Sequence, residues 1–293
     1  MASDHGKYVD PLTGTVTTGH EWDGLRELNT PLPRWWLWLF YITIVWAIGY
    51  WIVYPAWPLV STYTQGILNW NSRSAILEDM RELRAQRAAM TDRLAAAPLG
   101  DILNDAQLTA FAQAQGRAAF ADNCAGCHGA GAGGARGYPN LIDDDWLWGG
   151  KIEDLAQTIR HGIRSTDDKG RVGMMPAFGR DGVLKRSEVE AVADYVRSLS
   201  GLQGPANADL AAGKRLFAEH CAACHGEDGK GNRELGAPNL TDRIWLYGSD
   251  RPSIIEAVMN GRNAVMPAWG GRLDDTTIKA LAVYVHTLGG GEK

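Results

Sequence analysis

The chain has 293 residues, of which 45% are hydrophobic and 22% charged, with a formal net charge of −5, 12 Trp, 35 Gly and four Cys. At roughly 100–200 residues per domain, this length allows about two domains. So many charges exclude a polytopic membrane protein and so many apolar residues exclude a disordered one, while mild acidity without a basic tail argues against a nucleic-acid partner.

Residues 1–34 are polar and aromatic, and a run without any charge extends from Trp35 to Val60, holding six of the 12 Trp. Twenty residues, Trp35 to Tyr54, precede Pro55. A helix of that length covers about 30 Å, the hydrocarbon thickness of a bilayer. Aromatics crowd both of its ends, where rings sit at headgroup depth, and Pro55 and Pro58 should stop or kink the helix. The run starts too far along and lacks the small-residue cleavage site of a secretory signal. A single transmembrane helix over 35–60, in contact with lipid, is expected. Lys7, Arg26 and Arg34 precede it while only Arg73 lies close behind, which favours a cytoplasmic N-terminus.

Ser74 to Ala97 contains neither Gly nor Pro and is rich in Ala, Leu, Arg and Glu, which predicts a helix. Arg81 can pair with Glu78 and Gln86 with Glu82. It reads as a stalk within a linker over 61–105, either packed on a partner or simply solvated.

The remainder repeats itself. Gly116–Leu199 matches Gly213–Leu288, with offsets of 97 at the first Cys, 99 at Pro-Asn-Leu, 91 at Met-Pro and 89 at the last Tyr. Insertions therefore fall between fixed landmarks, as loops do. The two domains are placed at 106–200 and 207–290, with the hinge at Ser200–Pro205. Each is small for independent folding unless something else fills its core.

All four cysteines lie in Cys124-Ala-Gly-Cys127-His128 and Cys221-Ala-Ala-Cys224-His225. C-x-x-C-H is the attachment motif of c-type haem, whose vinyl groups bond the two thiols while the adjacent His meets the iron. A thioredoxin-like site would come after a strand in a βαβ pattern, zinc would need the four thiols together, and disulfides would not need the His. Two covalently bound haem c groups are expected, in an oxidising compartment. For the second axial ligand the repeat aligns Met175-Pro-Ala with Met266-Pro-Ala. Met174 aligns with Val265 and reads as packing, and Met259 sits in an apolar helical pattern. His161 and His286 have no His at the matching place, and His220 reads as a solvated neighbour. His128, Met175, His225 and Met266 are the expected iron ligands. Whether each Met serves its own repeat's haem or the other's is left open. Thioether opposite imidazole raises the potential and leaves no open position for O2. Electron transfer is expected, with no catalytic residue in the chain.

With these motifs in place, the repeat resembles the class I cytochrome c fold. The resemblance implies a mainly α chain with two tandem domains, in which the first and last helices cross with a glycine against an aromatic: Gly116 with Tyr195, and Gly213 with Tyr284. It also implies that Pro139 and Pro238 accept the ligand histidines' N–H groups, and that Trp146 and Trp245 either reach haem propionates or pack in the core. The segment Thr18-Gly-His-Glu-Trp-Asp-Gly through Arg34-Trp35-Trp36, with Asn69-Trp-Asn-Ser72 beyond the helix, resembles the dihaem subunit of cbb3-type cytochrome c oxidases, the CcoP/FixP family. This resemblance covers essentially the whole chain. It implies a bacterial inner-membrane subunit with periplasmic haem domains and a cytoplasmic docking segment over 1–34. The implied partners are a periplasmic donor cytochrome c, a monohaem subunit and a catalytic haem–copper subunit. A free-standing dihaem carrier or dehydrogenase subunit is the alternative, with a dihaem peroxidase or haem sensor behind it.

Overall fold

A computed structural model describes residues 8–292; Lys7, one of the charges counted for orientation, lies outside them. The described chain is mainly α, with one small antiparallel hairpin. It forms two units, residues 1–86 and 87–293.

The first unit opens with β1 (Thr17–Trp22) and β2 (Leu25–Leu28), paired with Trp22 opposite Leu25 and Glu21 opposite Arg26. The two-residue turn is Asp23-Gly24, both at positive φ (48° and 84°), the geometry that matches strand twist and favours Asp-Gly. Arg26 donates to Glu21 at 2.6 Å and its guanidinium lies 4.1 Å from the centre of the Tyr8 ring. Helix α1 (Arg34–Val53) comes next, 20 residues with none buried within the chain, and it is long and apolar enough to cross a membrane. It stops before Pro55 because the preceding Tyr54 is forced into extended backbone (φ −113°, ψ 164°). The chain then folds back, so that Ile67 N–H donates to Ile52 O (3.0 Å) and Leu68 N–H to Val53 O (3.2 Å). Carbonyls that a helix end leaves unpaired are thereby satisfied. Helix α2 (Ser72–Ala96) makes the two expected pairs, Arg81 with Glu78 and Gln86 with Glu82.

The second unit contains α3 (Leu99–Ile102), α4 (Ala106–Asn123), α5 (Ala125–His128), α6 (Ile152–His161), α7 (Arg186–Leu199), α8 (Leu210–His220), α9 (Ala222–His225), α10 (Arg251–Asn260) and α11 (Asp275–His286). It has two hydrophobic cores. One gathers Leu94, Ile102, Phe120, Trp146 and α6 around α11; the other gathers α7, α8 and α10.

The crossing of first and last helices differs from the expectation. Gly116 of α4 packs on Ala280 and Tyr284 of α11, and Gly213 of α8 packs on Ala191 and Tyr195 of α7. Phe120 meets Tyr284 at 5.4 Å, and Tyr195 meets Phe217 at 5.5 Å. The glycine–tyrosine contacts are those of the fold, but the two repeats have exchanged their last helices. Both repeats carry the same Gly and Tyr, so either pairing buries the same surfaces. The short connection from Leu199 to Leu210 lays α7 directly against α8, as short connections between helices do.

The cores also differ in polarity. Asp194 of α7, only 4% exposed, accepts from Arg251 of α10 through both oxygens (2.7 and 3.0 Å), while Val283 holds the matching place in α11. Removing one partner of a buried ion pair strands the other. Arg251→Met should therefore destabilise the second core by about 3–5 kcal/mol, and Asp194→Val with Arg251→Met should recover most of that loss. Thermal unfolding of the three proteins measures both.

Candidate functional site

Each C-x-x-C-H motif is one helical turn. Cys124 ends α4 and starts α5, and His128 N–H donates to Cys124 O (2.9 Å); Cys221 and His225 repeat this between α8 and α9 (2.9 Å). Spacings of three and four residues bring both cysteines and the histidine to one side of that turn. Gly129 and Gly226, at φ 80° and 79°, then turn the chain back.

The return loops bring a carbonyl to each histidine. His128 Nδ1–H donates to Pro139 O and His225 Nδ1–H to Pro238 O, both at 3.0 Å. Gly134 and Gly231 make this possible: a Cβ on Gly134 would overlap the 138–140 backbone, and one on Gly231 the 237–239 backbone. In that tautomer Nε2 keeps its lone pair for a metal. Burial also holds the pKa of His225 below the ordinary histidine value, against the opposing pull of the Pro238 carbonyl. That direction favours the neutral ring that ligation requires.

No disulfide joins the four cysteines. Cys124 packs on the first core and Cys221 on the second, so the four do not converge as a zinc site needs. Until haem is attached, burial, reinforced by the second thiol of each pair, pushes the Cys124 and Cys221 thiols up to about 11.

The methionines cross over with the helices. Met266 packs on the core that holds Cys124, and Met175 on the core that holds Cys221. Ile163 and Met266 exchange both backbone hydrogen bonds at 3.0 Å. Met175 N–H donates to Asn263 Oδ1 (3.1 Å), and Asn263 Nδ2 donates back to Met175 O (3.3 Å). Gly162 (φ 73°) lies against the Met266 carbonyl and Gly261 (φ 70°) against that of Met175, where any Cβ would overlap the oxygen. Met174, read as packing, is instead 68% exposed, while Met259 does pack on the second core.

The two candidate tryptophans have different environments. Trp146 Nε1 already donates to Gly290 O at 2.6 Å. Trp245 Nε1 is buried with no partner among the described residues, a state that costs about 1–3 kcal/mol unless an acceptor is supplied. His161 faces Asp167 (3.0 Å), His286 faces Glu292 O (2.8 Å), and His220 lies beside Phe178 and Glu219.

Comparison with known proteins decides the family. Residues 14–61 match the N-terminal domain of cytochrome oxidase-cbb3, FixP; residues 113–200 match cytochrome c; and residues 208–285 match cytochrome c oxidase, cbb3-type, subunit III. The cbb3-type cytochrome c oxidase subunit FixP of Azorhizobium caulinodans is 60% identical over the whole of both chains, and that of Bradyrhizobium sp. ORS 278 is 59% identical over 99% of this chain and all of the relative. Subunit CcoP of Azospirillum sp. B510 is 52% identical over 97% of this chain and 99% of the relative. The chain belongs to the FixP/CcoP family.

FixP/CcoP membership gives the two C-x-x-C-H turns their content: two cytochrome c domains bearing two covalently bound haem c groups. The residues fit that group. Paired cysteines outside any disulfide stand beside a histidine oriented by a proline carbonyl, a methionine packs on each core, and one buried indole N–H has no acceptor among the described residues. Sequence reasoning missed Gly162, Gly261 and Asn263. The repeated glycine after α6 and α10 is visible in sequence, but its partner lies across the exchange.

Near Trp146, burial and the neighbouring Asp242 and Asp143 raise the pKa of Asp145 to about 6. A carboxyl whose folded pKa is raised costs stability where it is ionised, and the cost fades as pH falls through 6 towards its unfolded value. Asp145→Asn should raise the melting temperature above pH 6 and leave it unchanged near pH 4.

Proposed function

We propose that the chain is the membrane-anchored electron-transfer subunit of a cbb3-type cytochrome c oxidase. It accepts electrons from a periplasmic donor cytochrome c and passes them towards the monohaem and haem–copper subunits. Its relatives are named as subunits of that oxidase, and the observation that carries the reading is the exchanged pairing of motifs within the second unit. Each core takes the first cysteine of one repeat's C-x-x-C-H turn and the methionine of the other repeat.

In this reading Cys124, Cys127 and His128 hold one haem with Met266, and Cys221, Cys224 and His225 hold the other with Met175. Each haem c, when bound, supplies an iron that takes up and returns one electron. The residues do the rest. The Pro139 and Pro238 carbonyls fix the histidine rings and raise their basicity. The methionine sulfurs raise the potential relative to a second histidine and occupy the position where O2 or peroxide would bind. The Trp245 N–H suits a propionate oxygen, while the Trp146 N–H, bound to Gly290, serves the core. Helix α1 anchors the chain, with the N-terminus cytoplasmic and the haem domains periplasmic. The excess of Arg26 and Arg34 over Arg73 near the helix ends supports that orientation.

The hairpin β1–β2 lies in the segment expected to dock on the oxidase, and it suits a surface role. Trp22 and Leu25 are exposed at its tip, and a lone two-stranded hairpin is marginal without something to pack on. Deleting Thr18–Leu32 should abolish co-purification with the other oxidase subunits in mild detergent while both haems stay attached. Unchanged co-purification would refute the docking role. Purification of the intact chain alone, with no oxidase subunit, would favour a free carrier. Near-stoichiometric carbon monoxide binding to the reduced protein would refute two closed irons.

A further inference from the structure

Position 164 of the first repeat and position 263 of the second are equivalent, one residue beyond the stretch where the two repeats cross. They carry different residues, Arg164 and Asn263. Arg164 Nε donates to Ala264 O at 2.7 Å, and its Nη1 donates to Gly173 O. Ala264 and Gly173 are themselves equivalent, each two residues before the methionine of its repeat. One guanidinium therefore bridges the two methionine loops at matching carbonyls. Arginine suits this because its planar fork presents several N–H donors at fixed angles.

The backbone of Arg164 supports the same conclusion. Its φ is +50°, in the left-handed region that residues with a Cβ rarely adopt. Such a conformation persists only where the surroundings hold it in place. Here the holding contacts are the side-chain bridge and the Arg164 N–H, which donates to Arg171 O at 2.6 Å.

Asn263 has a narrower reach. Its amide closes on the backbone N–H and C=O of Met175, adding a side-chain clasp to the antiparallel bridge that Met175 makes with Arg262, the counterpart of the Ile163–Met266 bridge. Arg164, at the matching place, reaches Ala264 and Gly173 and not Met266, so a clasp that one substitution can remove is made at Met175 alone among the described residues.

We propose that Arg164 and Asn263 are positioning residues for the axial methionines: Arg164 ties both methionine loops together, and Asn263 steadies Met175 alone. The proposal rests on the reading of Met175 and Met266 as iron ligands. Weakening groups that orient a ligand typically costs 10–100-fold in metal affinity. A tenfold weaker hold on the oxidised relative to the reduced iron would shift a one-electron potential by about 59 mV. Loosening a thioether that favours the reduced iron shifts the balance according to which state loses more, so the amplitude of the methionine band is the primary readout.

The test uses the full-length haem-loaded protein and the oxidised methionine-to-iron charge-transfer band, with a redox titration alongside. Met175→Leu and Met266→Leu should each remove about half of the band and so identify the two halves. Asn263→Ala should weaken the half lost in Met175→Leu and spare the other. Arg164→Asn, which tolerates positive φ but is too short to bridge the loops, should weaken both halves and displace both potentials. If Arg164→Asn fails to accumulate, Arg164→Lys decides, because a single ammonium cannot reproduce the fork and should weaken at least one half. Wild-type bands and potentials in Asn263→Ala and in the Arg164 variant that accumulates would overturn the tether. Loss of the Met266 half in Asn263→Ala would overturn its assignment to Met175. Retention of the full band in both methionine variants would overturn the ligand reading itself, and the tether with it.

Discussion

The close approach of backbone at Gly162 and Gly261 is the constraint on which the haem-bearing unit depends. Each glycine stands at positive φ with the carbonyl of the other repeat's methionine where a side chain would begin. Only a residue without a Cβ allows that contact at little cost. Once the two repeats cross there, their later elements are exchanged. The methionine loops reach the opposite cores, and α7 and α11 continue to the opposite first helices, α8 and α4. The glycines at the helix crossings, Gly116 and Gly213, then accept whichever tyrosine arrives. Two domains that are separate in sequence thus share one folded unit.

The exchange separates the parts of the structure that are legible in the sequence from those that are not. Features set by local chemistry are readable. The uncharged aromatic run becomes α1, ending before Pro55; the C-x-x-C-H motifs become single turns; and the histidine-to-proline hydrogen bonds implied by resemblance to cytochromes c are present at 3.0 Å in both repeats. The pairing of helices is not readable, because Gly116 and Gly213 have identical partners on offer and no local signal separates Tyr195 from Tyr284. The hairpin is a different kind of omission. Asp23-Gly24 between Trp22 and Leu25 is a turn signal of known type, hidden in a segment whose polar and aromatic character points first to a docking surface. Elimination assigns Met174 to packing, yet a place in the alignment says nothing of exposure.

The exchange also makes the repeats unequal in a way that their motifs conceal. Both cores are offered the same thiols, histidine, proline carbonyl and methionine. The surroundings of those groups differ: Trp146 has an acceptor where Trp245 has none among the described residues, Asp194 and Arg251 stand where the first core has Val283, and both methionines have a backbone bridge but only Met175 also has an asparagine clasp. Potentials of haem proteins depend on burial, charge and hydrogen bonding around the ligands as well as on ligand identity. A duplicated sequence supplies two sites alike in their motifs, and unlike surroundings are a means of giving them unlike potentials. In this chain the differences lie beside the repeated motifs and not within them, where substitutions alter the surroundings of a site without changing its motif residues.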